Sequence, residues 1–158
     1  KTRETMALFS ELKSKVKLTD EITSTDLLPK RDAYGDPDYW EERYLSIQED
    51  DQIFEWLLTF EDLKDLLIPE FERCGGITGK ILHPGCGNST LGSDIRKAGF
   101  GSGGILNTDI SPTVIEMMQK LYPNCIYKVD DALSMTVAAN SNMTPYNIVL
   151  DKGTLDAF

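Results

Sequence analysis

The chain has few of the residues that build metal centres and disulfide frameworks. Its 158 residues include three cysteines, Cys74, Cys86 and Cys125, and a single histidine, His83. No C-x-x-C pair or histidine cluster groups them, so neither a metal site nor a disulfide scaffold is expected; a reducing, cytoplasmic setting fits better. Long apolar runs are absent too. Nothing approaches the ~20 residues that cross a bilayer, so no membrane partner is expected, and the opening KTRETMALFSELK lacks the uninterrupted apolar stretch of a secretory signal. Because the first residue is Lys1 and not methionine, a trimmed N-terminus is expected. Basic residues are outnumbered, 16 against 26 acidic, for a net charge of -10. Neutralising nucleic-acid phosphates needs a basic face, so that class of partner is not expected. A cationic partner, such as a lysine-rich protein surface, suits the charge. What remains is the composition of one globular domain with a sizeable core, 41% hydrophobic and 27% charged.

Hydrophobic spacing then organises the chain. Met6, Phe9, Leu12 and Val16 predict an amphipathic helix over residues 2–17, and the polar stretch after it reads as a linker. Residues 1–33 are therefore set apart from a main domain over 34–158. Asp36-Pro37 marks a helix start, and the helix it opens carries Trp40, Tyr44 and Ile47 on one face. QIFEWLL reads as a short extended piece. Thr59 and Asp62 form a capping-box pattern opening a helix through Phe60, Leu63, Leu66 and Leu67, which Pro69 bends or ends. From Gly79 onward, strands in KILHPG, ILNTD, CIYKVDDA and YNIVLDKG alternate with helices in STLGSDIRKAG and SPTVIEMMQKLYP. That alternation predicts an α/β fold, a Rossmann-like parallel sheet with flanking helices.

The strand ends carry the chemistry. In ILHPGCGNSTLG, Gly85 and Gly87 permit positive φ and a close backbone approach to a ligand, and the polar run after them can cap a helix whose first N–H groups point outward. Ligands of such sheets bind at the carboxyl ends of the strands, which here end in that turn, in Asp109, in Asp130-Asp131 and in Asp151-Lys152. An acid roughly 20 residues past the turn is placed to accept hydrogen bonds from a ribose diol. The third glycine of a dinucleotide fingerprint is missing at Thr90, which speaks against a dehydrogenase, and no Walker lysine is present at its spacing. A ligand with ribose but no pyrophosphate, such as S-adenosylmethionine, suits this turn. Cys86, with no base near it in sequence, reads as a small turn residue, and His83 as a packed one.

Together ILHPGCGNS, NTDIS, DDA and NIVLDKGTLDAF resemble the successive motifs of class I S-adenosylmethionine-dependent methyltransferases. Upstream, YGDPDYWEERY and FEWL resemble the group that methylates lysine in translation elongation factor 1-alpha. The resemblance covers roughly residues 34–158. It implies methyl transfer to a protein lysine with S-adenosylhomocysteine as product, and an elongation factor as a possible substrate. By position, Gly85 and Gly87 would approach the methionine part of the cofactor and Asp109 the ribose, with Ile110 against the adenine. Asp131 and the N–H of Ala132 would meet the adenine edge. Trp40, Tyr44 and Trp56 would close over the cofactor, Lys152 would lie near its methionine end, and Arg43 would partner its carboxylate. Asp151, as the catalytic candidate, and Asp156 would line the acceptor channel. On spacing alone the three aromatics could be plain core residues, and Lys152 a solvated strand-end charge. Two features depart from the pattern: His83 stands where many such enzymes have an acid, and GFGSGG is a long, glycine-rich connector whose local order is in question. Two other functions compatible with the motifs are an aminopropyltransferase and a non-catalytic interaction module. The class has a seven-strand sheet, so further strands are expected after Phe158, leaving an apolar edge at YNIVL.

Overall fold

The structure, a computed structural model, describes residues 34–47 and 52–157. The helix expected over residues 2–17 lies outside the described residues. Four strands, β1 (Ile81–Pro84), β2 (Ile105–Asp109), β3 (Ile126–Val129) and β4 (Ile148–Val149), form one parallel sheet in the order β3-β2-β1-β4. The chain steps outward from β1 to β3 and then returns to the other side of β1. Strand order therefore reverses at β1, and that reversal opens a crevice at the carboxyl ends of β1 and its neighbours.

Among the described residues five α-helices accompany the sheet: α1 (Pro37–Leu45), α2 (Phe60–Arg73), α3 (Leu91–Lys97), α4 (Pro112–Leu121) and α5 (Thr136–Ala139). Side-chain oxygens start three of them. Asp36 accepts from Asp38 N at 3.0 Å, Ser111 accepts from Val114 N at 3.2 Å, and Thr59 and Asp62 form the reciprocal capping box. Pro69 does not end α2, which continues to Arg73. The reason is packing: Phe71, beyond the proline, is 1% exposed and sits in a cluster with Ile81, Leu91, Ile95 and Ile105. Burial of that ring outweighs the one backbone bond a proline forfeits.

On β1, Ile81 and Leu82 enter different core clusters, as the two-residue period of a strand requires. Both inner strands are buried throughout, whereas β3 buries only Tyr127. On β4, Val149 is 56% exposed. The GFGSGG connector is closed and not loose: Ser102 N reaches Ile77 O at 2.8 Å and Gly104 N reaches Gly101 O at 2.9 Å.

Gly92 supplies the close helix-strand approach that a dinucleotide fold obtains from its third glycine. A Cβ there would lie 2.3 Å from Asn107 Oδ1. The function is kept, moved two residues along into α3. Gly92→Val should therefore destabilise the fold by roughly 2–3 kcal/mol, read as a lower denaturant midpoint at unchanged m-value.

Candidate active site

The crevice holds a cavity of about 270 Å³. Its floor is the glycine turn after β1. Gly85 and Gly87 both take positive φ, 57° and 51°. The absence of a Cβ at each is required by the protein itself. A Cβ on Gly85 would fall 2.0 Å from Thr154 Oγ1, and one on Gly87 would fall 2.7 Å from the Tyr44 hydroxyl. Thr154 in turn donates to Pro84 O at 3.1 Å, tying the run after β4 to the end of β1.

Asp109, 7% exposed, ends β2 and bridges two loops. Its Oδ2 accepts from Gly87 N at 2.8 Å and its Oδ1 from Ser111 N at 3.0 Å. Burial pushes its carboxyl above the ordinary range, and these N–H groups oppose that shift. A carboxylate has about four acceptor sites, so capacity for a diol remains. Ile110, Asp131 and Ala132 line the same cavity. Asp131 Oδ1 accepts from Leu133 N at 2.9 Å, while Asp130 turns inward and accepts from Val137 N at 3.1 Å and Ala138 N at 2.8 Å.

One wall is aromatic and rides on α1. Trp40 stacks between Tyr34 and Tyr44, with ring centroids 5.7 Å and 6.1 Å away, and its indole N–H donates to Tyr34 O at 2.7 Å. Glu41, also on α1, accepts from the Ser111 and Thr113 hydroxyls at the start of α4. Those hydrogen bonds hold its carboxyl below the usual value. Trp56 meets Trp40 edge-on at 6.4 Å. Arg43 is outside the cavity lining: its guanidinium lies 5.7 Å from the Phe54 ring centroid and 5.5 Å from that of Trp56. That cation–π contact occupies the side chain expected to meet a carboxylate.

The segment Gln52–Leu58, expected to be extended, is an irregular strap. Glu55 anchors it. Ser89 Oγ donates to Glu55 Oε2 at 2.7 Å and Thr90 N donates to its Oε1, while Leu91 N is taken by Ser89 Oγ. Thr90 N and Leu91 N at the start of α3 thus do not point outward to a ligand: the strap carboxylate takes the first and the Ser89 hydroxyl the second. Lys152 lines the cavity but is spent on the same strap. Its ammonium donates to Glu55 Oε2 at 2.6 Å, Trp56 O at 2.9 Å and Leu58 O at 3.3 Å, which uses all three donors. Burial alone would raise the Glu55 carboxyl, but the hydrogen bonds from Lys152 and Ser89 hold it below its ordinary value. Asp151 is exposed and away from the cavity, its Oδ1 accepting from Thr154 N at 3.1 Å and Leu155 N at 3.2 Å. Asp156 does line the cavity. Glu41, Glu55 and Thr154 escape a reading by motif. Glu55 alone leaves a trace, as the single charge inside an aromatic run.

Several known proteins share this sequence pattern. EEF1A lysine methyltransferase 4 of mouse is 32% identical over 139 residues, covering 86% of this chain and 50% of that protein. The eEF1A lysine and N-terminal methyltransferase homolog of Drosophila melanogaster is 35% identical over 137 residues, covering 84% of this chain and 19% of that protein. The chain is related to the eEF1A lysine methyltransferases. It spans about half the length of the mouse relative. Methyltransferase srdJ of Neurospora crassa is 30% identical over 142 residues, covering 86% of this chain and 57% of that protein. No family model matches the chain. The motif resemblance agrees with the names of these relatives.

Where many such enzymes carry an acid, this chain carries His83, 2% exposed, its Nδ1 3.2 Å from Asn107 Oδ1. Burial lowers its pKa to about 4. Between pH 6.5 and about 4 the unfolded chain takes up a proton that the folded chain refuses, so stability falls as pH falls through that window and is complete above it. The loss should reach roughly 3 kcal/mol at the acid end. His83→Gln, measured by denaturant unfolding across roughly pH 4–7, should flatten the slope by that amount.

Proposed function

We propose that the chain binds S-adenosylmethionine in this crevice and forms the cofactor-binding half of a protein-lysine methyltransferase, with a translation elongation factor as substrate and the cytoplasm as its setting. The observation that carries the reading is Asp109, a buried carboxylate at the end of β2 that is pinned to the glycine turn and lines the cavity. The names of the chain's relatives favour methyl transfer over aminopropyl transfer.

The donor set fits an adenosyl sulfonium. Asp109 would hold the ribose hydroxyls. Ile110, Asp131 and the N–H of Ala132 would meet the adenine. The backbone of the turn at Gly85 and Gly87 would approach the amino-acid end, and Trp40, Tyr44 and Trp56 would close over it. The cofactor, when bound, supplies a methyl group already activated by positive charge, so the protein contributes alignment and exclusion of water. An incoming lysine must shed a proton held with a reference pKa of about 10.4. Asp156, one of the carboxylates at the cavity, would draw in the cation and ease that loss. Asp151, with its carboxylate folded into its own turn, would shape the run from outside.

Calorimetric titration with S-adenosylhomocysteine tests the reading. The chain should bind it, and Asp109→Asn should weaken binding by about tenfold or more, the value of a hydrogen bond to a charged group. No detectable heat with folded wild-type protein would overturn the proposal.

A further inference from the structure

Leu57 is the anomaly of the strap. It has φ of 66° although it carries a branched side chain, a backbone state that favours glycine. Leu58 N bonds Trp56 O at 2.9 Å, closing a γ-turn around Leu57 of the rarer, strained hand. Leu57 is 60% exposed, so burial of its own side chain does not account for the conformation. What accounts for it lies across the crevice. The carbonyls on either side of Leu57 both accept from the Lys152 ammonium, and Glu55, two residues earlier, takes the third donor. Asn88 holds the start of the strap, donating from Nδ2 to Gln52 O at 3.1 Å and accepting from Phe54 N at 3.4 Å. Strain of this kind persists only where the surroundings over-determine it.

We infer that Lys152 and Glu55 are positioning residues: their ion pair clamps the strained turn at Leu57 and so seats Trp56 and Leu57 in the cavity wall, making ligand affinity depend on a lysine that spends its donors on the protein. The inference rests on the cavity being the adenosyl cofactor site. It assigns Lys152 a role different from that of a direct ligand, and the two roles separate experimentally. Glycine adopts positive φ without strain. A clamp can therefore be partly replaced by Leu57→Gly, whereas a lost ligand contact cannot.

The test uses the full-length protein, with hydrogen exchange followed by mass spectrometry and S-adenosylhomocysteine titration. In Lys152→Met the strap amides of Phe54 and Leu58 should exchange about tenfold faster or more, while amides of β2 keep their protection. Affinity should fall about tenfold or more. Adding Leu57→Gly to Lys152→Met should recover about threefold or more of that affinity. Should Lys152→Met not fold, the pair Glu55→Gln with Lys152→Met, which leaves no orphan charge, replaces it in every arm. Native strap exchange in the lysine variant, or equal affinity loss with and without Leu57→Gly, would overturn the clamp. Wild-type protein that fails to bind would instead overturn the cofactor reading, and strap exchange would still decide the clamp.

Discussion

A carboxylate taken out of water must be given donors, and at the carboxyl edge of this sheet those donors are backbone N–H groups. Asp109 takes Gly87 N and Ser111 N, Asp130 takes Val137 N and Ala138 N, and Glu55 takes Thr90 N. Asp131 and Asp151 do the same for shorter turns. Each acid fixes a loop beside a strand end, and together these loops outline the crevice. The acidity of the chain is thus partly architectural, with negative charge at the edge converted into loop geometry.

The Lys152–Glu55 pair stands apart because it joins side chain to side chain, with 9% and 16% of each side chain exposed. Such a pair is poor support for stability in itself, since desolvating both charges offsets most of their attraction. Its value lies in specificity. Removing one partner strands the other, at about 3–5 kcal/mol, so the strap has one seat and no near alternative. Glu41 does for α1 what Glu55 does for the strap, and the two glutamates hold the aromatic wall from both ends.

Much of this is legible in sequence because it depends on local rules. Asp36-Pro37, Ser111-Pro112 and the Thr59–Asp62 box announce helix starts, and the alternation of strands and helices dictates a parallel sheet. The strand-end acids can be located in sequence but not apportioned: both acids of DD line the cavity, and nothing in the pair tells that Asp130 is spent on the start of α5 while Asp131 caps only its own turn. Lys152 and Arg43 are visible as charges near a ligand, yet the partners of both lie on the strap, where no motif records them. Pro69 misleads, because the cost of a proline is local and the burial of Phe71 is not. Gly92 stays hidden because a fingerprint counts positions, whereas packing against Asn107 requires only proximity.

Thr154 fills the hollow behind Gly85, and Lys152 reaches Glu55 across 97 positions of chain. The crevice is therefore bounded by the first and last parts of the described domain at once. A polypeptide leaving the ribosome has strands and the glycine turn long before it has the residues that brace them. Loop closure over such separations is slow and comes after local structure. Capacity to hold a small molecule should thus arrive in a single step, when the D-K-G-T run docks.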